Sequence, residues 1–591
     1  MGHKDRYYLI CMRVFAPIFL SVCMIGIMAQ VPNNTERMQE RFGSYYLNNT
    51  KEKIIISQDY FTKPDTTYVI QHDYDLNGKT IELPEGCTLQ FKGGSINHGT
   101  IILKSNTVIR GNKSICEALF NGLSHKSLFV ANNVENIEIY DLTLKGNYFE
   151  DKDGMINPWG QERRDAQNLL FIGNSNNIYI NGLSVINFAN DNQGENVEWN
   201  VKDSTNIGFA AVKIANSENV VVKRCSEHYS AGEGWEFNFC NHITIDSLYI
   251  KRKYGVSSLN VEGCHNFNLL NSVFETEIST GDIVNILAKN ALVDNCIFIG
   301  GGVDFGNEFA NRGYEKIIKE YSENVTFSNC YFGGDLRNGS YITDNSPSKI
   351  VDNLRVIKNT YDINASDRNN IIALYLGNNG NVGTVLFENN IISITGKIND
   401  SYDYYYQIIE SFSQAYVVDS LIIRGNGIYD KVFTKEGHYD NIISHHLNGT
   451  IIASNVNYLA IENNIINSCS GIYSDAKVYY PDMIHKGIVI KNNQMSFVCQ
   501  RELVDLVARR DMNGNIIKQK VDRFVFTGNT QRSLKNSGYM GAFNAAENVT
   551  IENNVFNGVY GSFRFVEQGE YLRTSNNKGL PKIDGQFKRT N

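Results

Sequence analysis

Asn219-Val-Val-Val-Lys-Arg-Cys225, His242-Ile-Thr-Ile-Asp-Ser-Leu-Tyr-Ile250, Phe267-Asn-Leu-Leu-Asn-Ser-Val-Phe274, Ala291-Leu-Val-Asp-Asn-Cys-Ile-Phe298 and Val325-Thr-Phe-Ser-Asn-Cys-Tyr-Phe332 are variants of one phrase. Each has two alternating apolar positions, a polar turn and a further apolar pair. With Asn219, His242, Asn266, Asn290 and Asn324 as anchors, the phrase recurs at steps of 23, 24, 24 and 34 residues. A unit this short, repeated without room for a covering helix, is one coil of a solenoid.

The phrase extends in both directions. Upstream stand Asn136-Ile-Glu-Ile-Tyr-Asp-Leu-Thr-Leu144 and Asn177-Ile-Tyr-Ile-Asn-Gly-Leu-Ser-Val185; downstream stand Val385-Leu-Phe-Glu-Asn-Asn-Ile-Ile392, Leu459-Ala-Ile-Glu-Asn-Asn-Ile-Ile466 and Val549-Thr-Ile-Glu-Asn-Asn-Val-Phe556. Their period of two and their Val, Ile and Phe content predict strands. Asn-Asn and Asn-Gly steps suit the turns between them, because Asn tolerates left-handed backbone. The constant internal order of the units favours stacking of each coil in parallel on the next.

This pattern resembles the right-handed parallel β-helix of pectate-lyase-like carbohydrate-active proteins. The expected fold is therefore all-β, a single-stranded right-handed parallel β-helix over residues 65–575. A cap and lead-in over 30–64 precede it, and a tail over 576–591 follows. The resemblance rests on the repeat and implies fold more strongly than chemistry.

The 591 residues carry a formal net charge of −8 and 42% hydrophobic residues. Apolar material for a long core is ample, and mild acidity argues against a nucleic-acid binder. Val14 to Met28 is an apolar run preceded by Arg13 and followed by Ala29-Gln30. Its length predicts a cleaved signal peptide over 1–29 rather than a transmembrane span, hence an exported protein, periplasmic, cell-surface or secreted. Val22 is bulky for a lipoprotein box at Cys23. Beyond the leader, nine cysteines without close pairs do not read as a disulfide framework, and Cys225, Cys296 and Cys330 share one place in the phrase, as stacked core residues would. No C-x-x-C suggests zinc. Oligomeric state has no signature.

Insertions are expected near 145–168, 187–210, 306–323, 393–418, 429–450 and 500–520, emerging from turns on a binding face. Arg312 to Tyr321 and Arg501 to Ala508 have helical spacing. Trp159, Trp199 and the Tyr402, Tyr404, Tyr405 and Tyr406 run stand in insertions, where they either stack on sugars or anchor loops.

Aligned strands give the candidate site. With Phe237 and Phe239 inward, Glu236 and Asn238 face out, Asn260 lies over Glu236, Glu262 over Asn238, and Lys213 precedes Glu236. Glu236 and Glu262 then become diagonal neighbours with backbones about 8 Å apart. Paired carboxylates at such range suit glycoside hydrolysis, in which one protonates the leaving oxygen and the other attacks or activates water. His228, Glu233, Asp304, Glu308 and Arg312 complete the neighbourhood. Against this stands the ordinary fate of a strand Glu, which is solvation.

Three functions compete. A glycoside hydrolase would use Glu236 and Glu262, with Asp304 and His228 as further catalytic candidates; Lys213, Glu233, Asn238, Asn260, Glu308, Arg312 and Trp199 would bind substrate. A polysaccharide lyase would draw on the basic Lys251-Arg-Lys-Tyr254 beside His228. A non-catalytic glycan-binding or adhesive solenoid needs no acid pair. The phrases of polygalacturonases (Asn-Thr-Asp, Asp-Asp, Gly-His-Gly, Arg-Ile-Lys) are absent. No cofactor is required, although the resemblance is compatible with calcium.

Overall fold

The computed structural model describes residues 54–591 apart from internal segments, the longest being 147–164, 189–209, 306–321, 338–348, 436–448 and 474–483. The chain divides between residues 54 and 55, and residues 55–591 make up its second, compact unit. The leader, most of the expected cap, Trp159, Trp199, Glu308, Arg312 and the helix expected from Arg312 to Tyr321 all lie outside the described residues. No described helix is long and apolar enough to cross a membrane.

The second unit is a right-handed parallel β-helix. Among the described residues, strands join into one sheet of 32 and another of 15, and every pairing within these two is parallel. A coil has three walls. In the quoted stretch the first wall is Glu233–Asn238, the second Asn241–Asp246 and the third Tyr249–Gly255. The first two walls belong to the large sheet and the third to the smaller one.

The corners explain the Asn-rich phrase. The anchors Asn219, His242, Asn266, Asn290 and Asn324 have φ of 56, 56, 53, 54 and 52°, a left-handed bend that Asn accepts most readily after glycine. Their amides chain from coil to coil, Asn290 donating to Asn266 (3.3 Å) and Asn324 to Asn290 (3.0 Å). The phrase-ending aromatics stack inside the third wall: Phe274 on Phe298 at 5.6 Å, Phe298 on Phe332 at 5.2 Å and Phe332 on Tyr361 at 4.7 Å. One continuous apolar core follows, because each coil can bury its inward face only on its neighbours. Cys225, Cys296 and Cys330 are buried in it as free thiols; burial pushes the Cys225 thiol up to about 12.

Several expectations need correction. Residues 576–591 are not a tail: Lys582–Asp584 and Phe587–Thr590 pair in parallel with the preceding coil, and Phe587 packs against Phe565 at 5.2 Å. Two half-buried residues, Ile583 and Phe587, provide enough apolar contact to extend the stack without a visible repeat. Val504–Leu506, expected as helix, is a strand on Tyr539–Phe543, since the neighbouring coil offers an edge that overrides local periodicity. The expected insertion 393–418 contains the coil strands Tyr405–Tyr406 and Ile409–Ser411. Tyr404 and Tyr406 are buried anchors, the Tyr404 hydroxyl donating to Ala365 O (2.9 Å) and that of Tyr406 to Asp430 (2.9 Å). Phe239 was placed inward by alternation, but the chain turns there with φ 52° and leaves the ring 42% exposed.

Candidate functional site

Trp235 and Phe237 are wholly buried among the core residues Val212, Ile214, Leu259 and Val261, so alternation turns Glu236 and Asn238 to the outer face of the first wall. The register matches the spacing argument. Lys213 pairs with Glu236 and Glu236 with Asn260; Asn238 pairs with Glu262. The same column continues through Asn285 and Asp304 to Arg337 and Tyr375.

These outward side chains are not solvated, which is where a single-strand reading fails. Glu236 is 4% exposed and Glu262 3% exposed. Buried charge needs partners, and both acids have them. Lys213 Nζ lies 3.1 Å from each oxygen of Glu236. Asn238 Nδ2 donates to Glu262 Oε2 at 2.6 Å, and Asn260 Nδ2 donates to Glu262 Oε1. One carboxylate thus faces an ammonium and its diagonal neighbour faces two carboxamides. The Asn238 and Asn260 Oδ1 atoms are buried and accept no hydrogen bond.

Farther along, Asp304 is 1% exposed. Arg337, one coil on, is bridged to Asp282 (2.7 Å) and Asp335 (3.3 Å). Burial works to lower its guanidinium, but Asp335, Asp282 and Asp304 outweigh that and raise it. Three aspartates thus surround one guanidinium, which fills the centre of the group. Among the described residues no set of three or more His, Cys, Asp or Glu is arranged to hold a metal ion. The residues present therefore do not fit calcium at this place.

His228 sits elsewhere. It ends the third-wall strand Ser226–His228, in register with Ile186 and Lys251, and its ring meets Tyr249 edge-on at 5.2 Å. Burial, with a smaller contribution from Lys251, lowers it to about 4. Glu233 begins the first-wall strand opposite Ala210.

The basic segment is not a solvated turn. Tyr249–Gly255 is a strand in which Lys251 points out, 3.6 Å from Glu275, while Arg252 points into the solenoid. There Arg252 Nη2 is bonded to Glu227 Oε1, both side chains being fully buried. Burial pushes the Glu227 carboxyl up and Arg252 opposes it. Gly234 makes room for this pair: a Cβ there would lie 2.4 Å from Arg252 Nη2 and 2.1 Å from Ser258 O. Sequence reasoning missed the ion pair because Glu227 and Arg252 are 25 residues apart and each resembles a surface charge.

No family model matches the chain, and no curated protein matches it. Solved structures of similar architecture include the family 28 exopolygalacturonase of Yersinia enterocolitica, at 11% identity over 91% of this chain and 80% of that one, with TM-score 0.25. The tailspike of E. coli bacteriophage HK620, solved in complex with a pentasaccharide, shares 14% identity over 86% and 72%, with TM-score 0.31. PfbA, a surface adhesin of Streptococcus pneumoniae, shares 14% over 84% and 85%, with TM-score 0.22.

Proposed function

We propose that this chain is an exported carbohydrate-active protein that takes a polysaccharide or complex glycan along the outer face of its first wall and cleaves glycosidic bonds there, with Glu236 and Glu262 as the paired carboxylates. The observation that carries this reading is the cluster Lys213, Glu236, Asn238, Asn260 and Glu262, drawn from three successive coils onto one outer face. Hydrolysis by two carboxyl groups divides acid and nucleophile or base work between them, and that division requires different surroundings. Glu236 faces an ammonium and Glu262 two amides, so the two carboxylates have different surroundings. Export is inferred from the apolar run Val14 to Met28.

The lyase reading loses support, because Arg252 is spent inside the solenoid on Glu227 and Lys251 pairs with Glu275. A non-catalytic glycan binder is favoured by one feature: both carboxylates are buried and already hydrogen-bonded. The test is to incubate the protein from Gln30 onward with neutral, amino and acidic polysaccharides, following reducing ends and ultraviolet absorbance together. Reducing ends alone, lost in Glu236→Gln and Glu262→Gln, are expected. An absorbing unsaturated product would establish the lyase, and binding without either signal the adhesive protein.

A further inference from the structure

At the end of five successive first-wall strands the chain bends through a left-handed residue. In successive coils that residue is Asn133, Asn174, Asn216, Phe239 and Gly263, with φ of 55, 48, 47, 52 and 61°. Three asparagines are the expected choice, and glycine is equally suited. Phe239 is not: a bulky side chain with positive φ is a genuine outlier. Strain of this kind persists where surrounding structure imposes it and concentrates at binding sites.

The surroundings show what the bend achieves. Phe239 N donates to Glu262 O at 2.7 Å, which fixes the residue at the edge of the carboxylate cluster. Its ring lies against Gly263: a Cβ on Gly263 would come within 2.6 Å of Phe239 Cδ1, so any other residue there would displace the ring. The strand that carries Gly263, Leu259–Leu270, slips register against the following strand Asp282–Asp294 between Glu262 and Cys264, a bulge at Gly263. The ring remains 42% exposed. Immediately before it in the chain is Asn238, whose Oδ1, like that of Asn260, is buried and accepts nothing.

We propose that Phe239, seated on Gly263, is a stacking platform for one sugar ring, and that the Asn238 and Asn260 carboxamide oxygens accept hydrogen bonds from that sugar's hydroxyl or ammonium donors. The subsite therefore selects a neutral or amino sugar and rejects a uronate. This rests on the reading of the first wall as a glycan site. An apolar sugar face matches an aromatic ring, and two unfilled acceptors match donors. The charge around the site agrees. Its cations, Lys213 and Arg337, are already paired with Glu236 and with Asp282 and Asp335, while Glu262 and Asp304 add further negative charge. A sugar carboxylate would meet acceptors and like charge.

The test is calorimetric titration of the full mature chain with hexasaccharides of three kinds: neutral (mannan- and xylan-derived), amino (chitosan-derived) and acidic (polygalacturonate-derived). Binding of a neutral or amino oligosaccharide and none of the acidic one is expected. Phe239→Asn restores the residue found in the three preceding coils, so its Tm should be unchanged or higher while affinity falls about tenfold; Phe239→Tyr should keep the affinity. Unchanged affinity in Phe239→Asn overturns the platform, as does a lower Tm that accounts for the loss. A preference for the uronate, with binding abolished in Glu236→Gln, overturns this inference alone. Binding indifferent to both Glu236→Gln and Glu262→Gln, or absent for every class, overturns the glycan-site reading as well.

Discussion

Along the turns of the C-terminal coils, Asn359, Asn390, Asn426, Asn464, Asn493, Asn529, Asn554 and Asn577 repeat one set of hydrogen bonds, whereas the register column on the outer first wall reads Lys213, Glu236, Asn260, Asn285, Asp304, Arg337. In the ladder Asn359 Oδ1 accepts from Cys330 N, and each later Oδ1 accepts from the backbone N–H of the preceding member, as Asn464 does from Asn426 N at 2.8 Å. Each Nδ2 donates to a backbone carbonyl, Asn464 to Ile423 O at 2.9 Å. Nothing varies from coil to coil. In this column and in Asn238 and Glu262 beside it, no two neighbouring contacts are alike: an ion pair, amides on a carboxylate, a guanidinium among aspartates. Both are polar and largely buried, so polarity alone does not separate a structural device from a site. Repetition does. A bond set that serves backbone closure recurs wherever the backbone recurs, and chemistry directed at a ligand has no reason to.

The contrast can be broken by substitution. The largest effect is expected on turnover: Glu236→Gln should lower it at least a hundredfold per folded molecule, as removal of a general acid or base does, and should also lower the denaturation midpoint, because it leaves the buried Lys213 ammonium without its counter-charge. Next, Arg252→Met strands Glu227 inside the solenoid and should cost about 4 kcal/mol in urea unfolding. Replacing Glu227 by Leu in the same chain should recover much of that loss. Asn464→Ala leaves buried backbone groups without partners and should cost about 2 kcal/mol, with glycan turnover per folded molecule unchanged. The smallest effect is pH-dependent. His228 is lowered from its ordinary 6.5 to about 4, so between these values the unfolded chain binds a proton that the folded chain refuses. Stability should decline as pH falls through that window and level off below it. Thermal melts of His228→Gln should lack that component of the slope.

Much of this was legible in the chain itself. The anchors at steps of 23 and 24 residues gave coil length, and alternation about Trp235 and Phe237 gave the register that stacks Lys213, Glu236 and Asn260. Burial was not legible: solvation stood as the alternative to a catalytic pair for Glu236 and Glu262, because a strand's period reports which side a residue faces and not what covers that side. The Glu227–Arg252 pair was hidden because its partners occupy inward positions of different coils where apolar residues are the rule. Phe239 was misplaced for a local reason. Alternation holds only while the strand continues, and the left-handed bend at Phe239 ends it one residue early. A clue was present, since Asn133, Asn174 and Asn216 occupy the same corner.

The most direct test of the account compares Glu262→Gln with Asn464→Ala on the same glycan, measuring turnover per folded molecule and the urea midpoint of each. Glu262→Gln should lose at least a hundredfold in turnover at a nearly unchanged midpoint, and Asn464→Ala should show a lowered midpoint at full turnover. Full turnover in Glu262→Gln, or loss of turnover in folded Asn464→Ala, would contradict the assignment of the irregular outer wall to function and the regular ladder to structure.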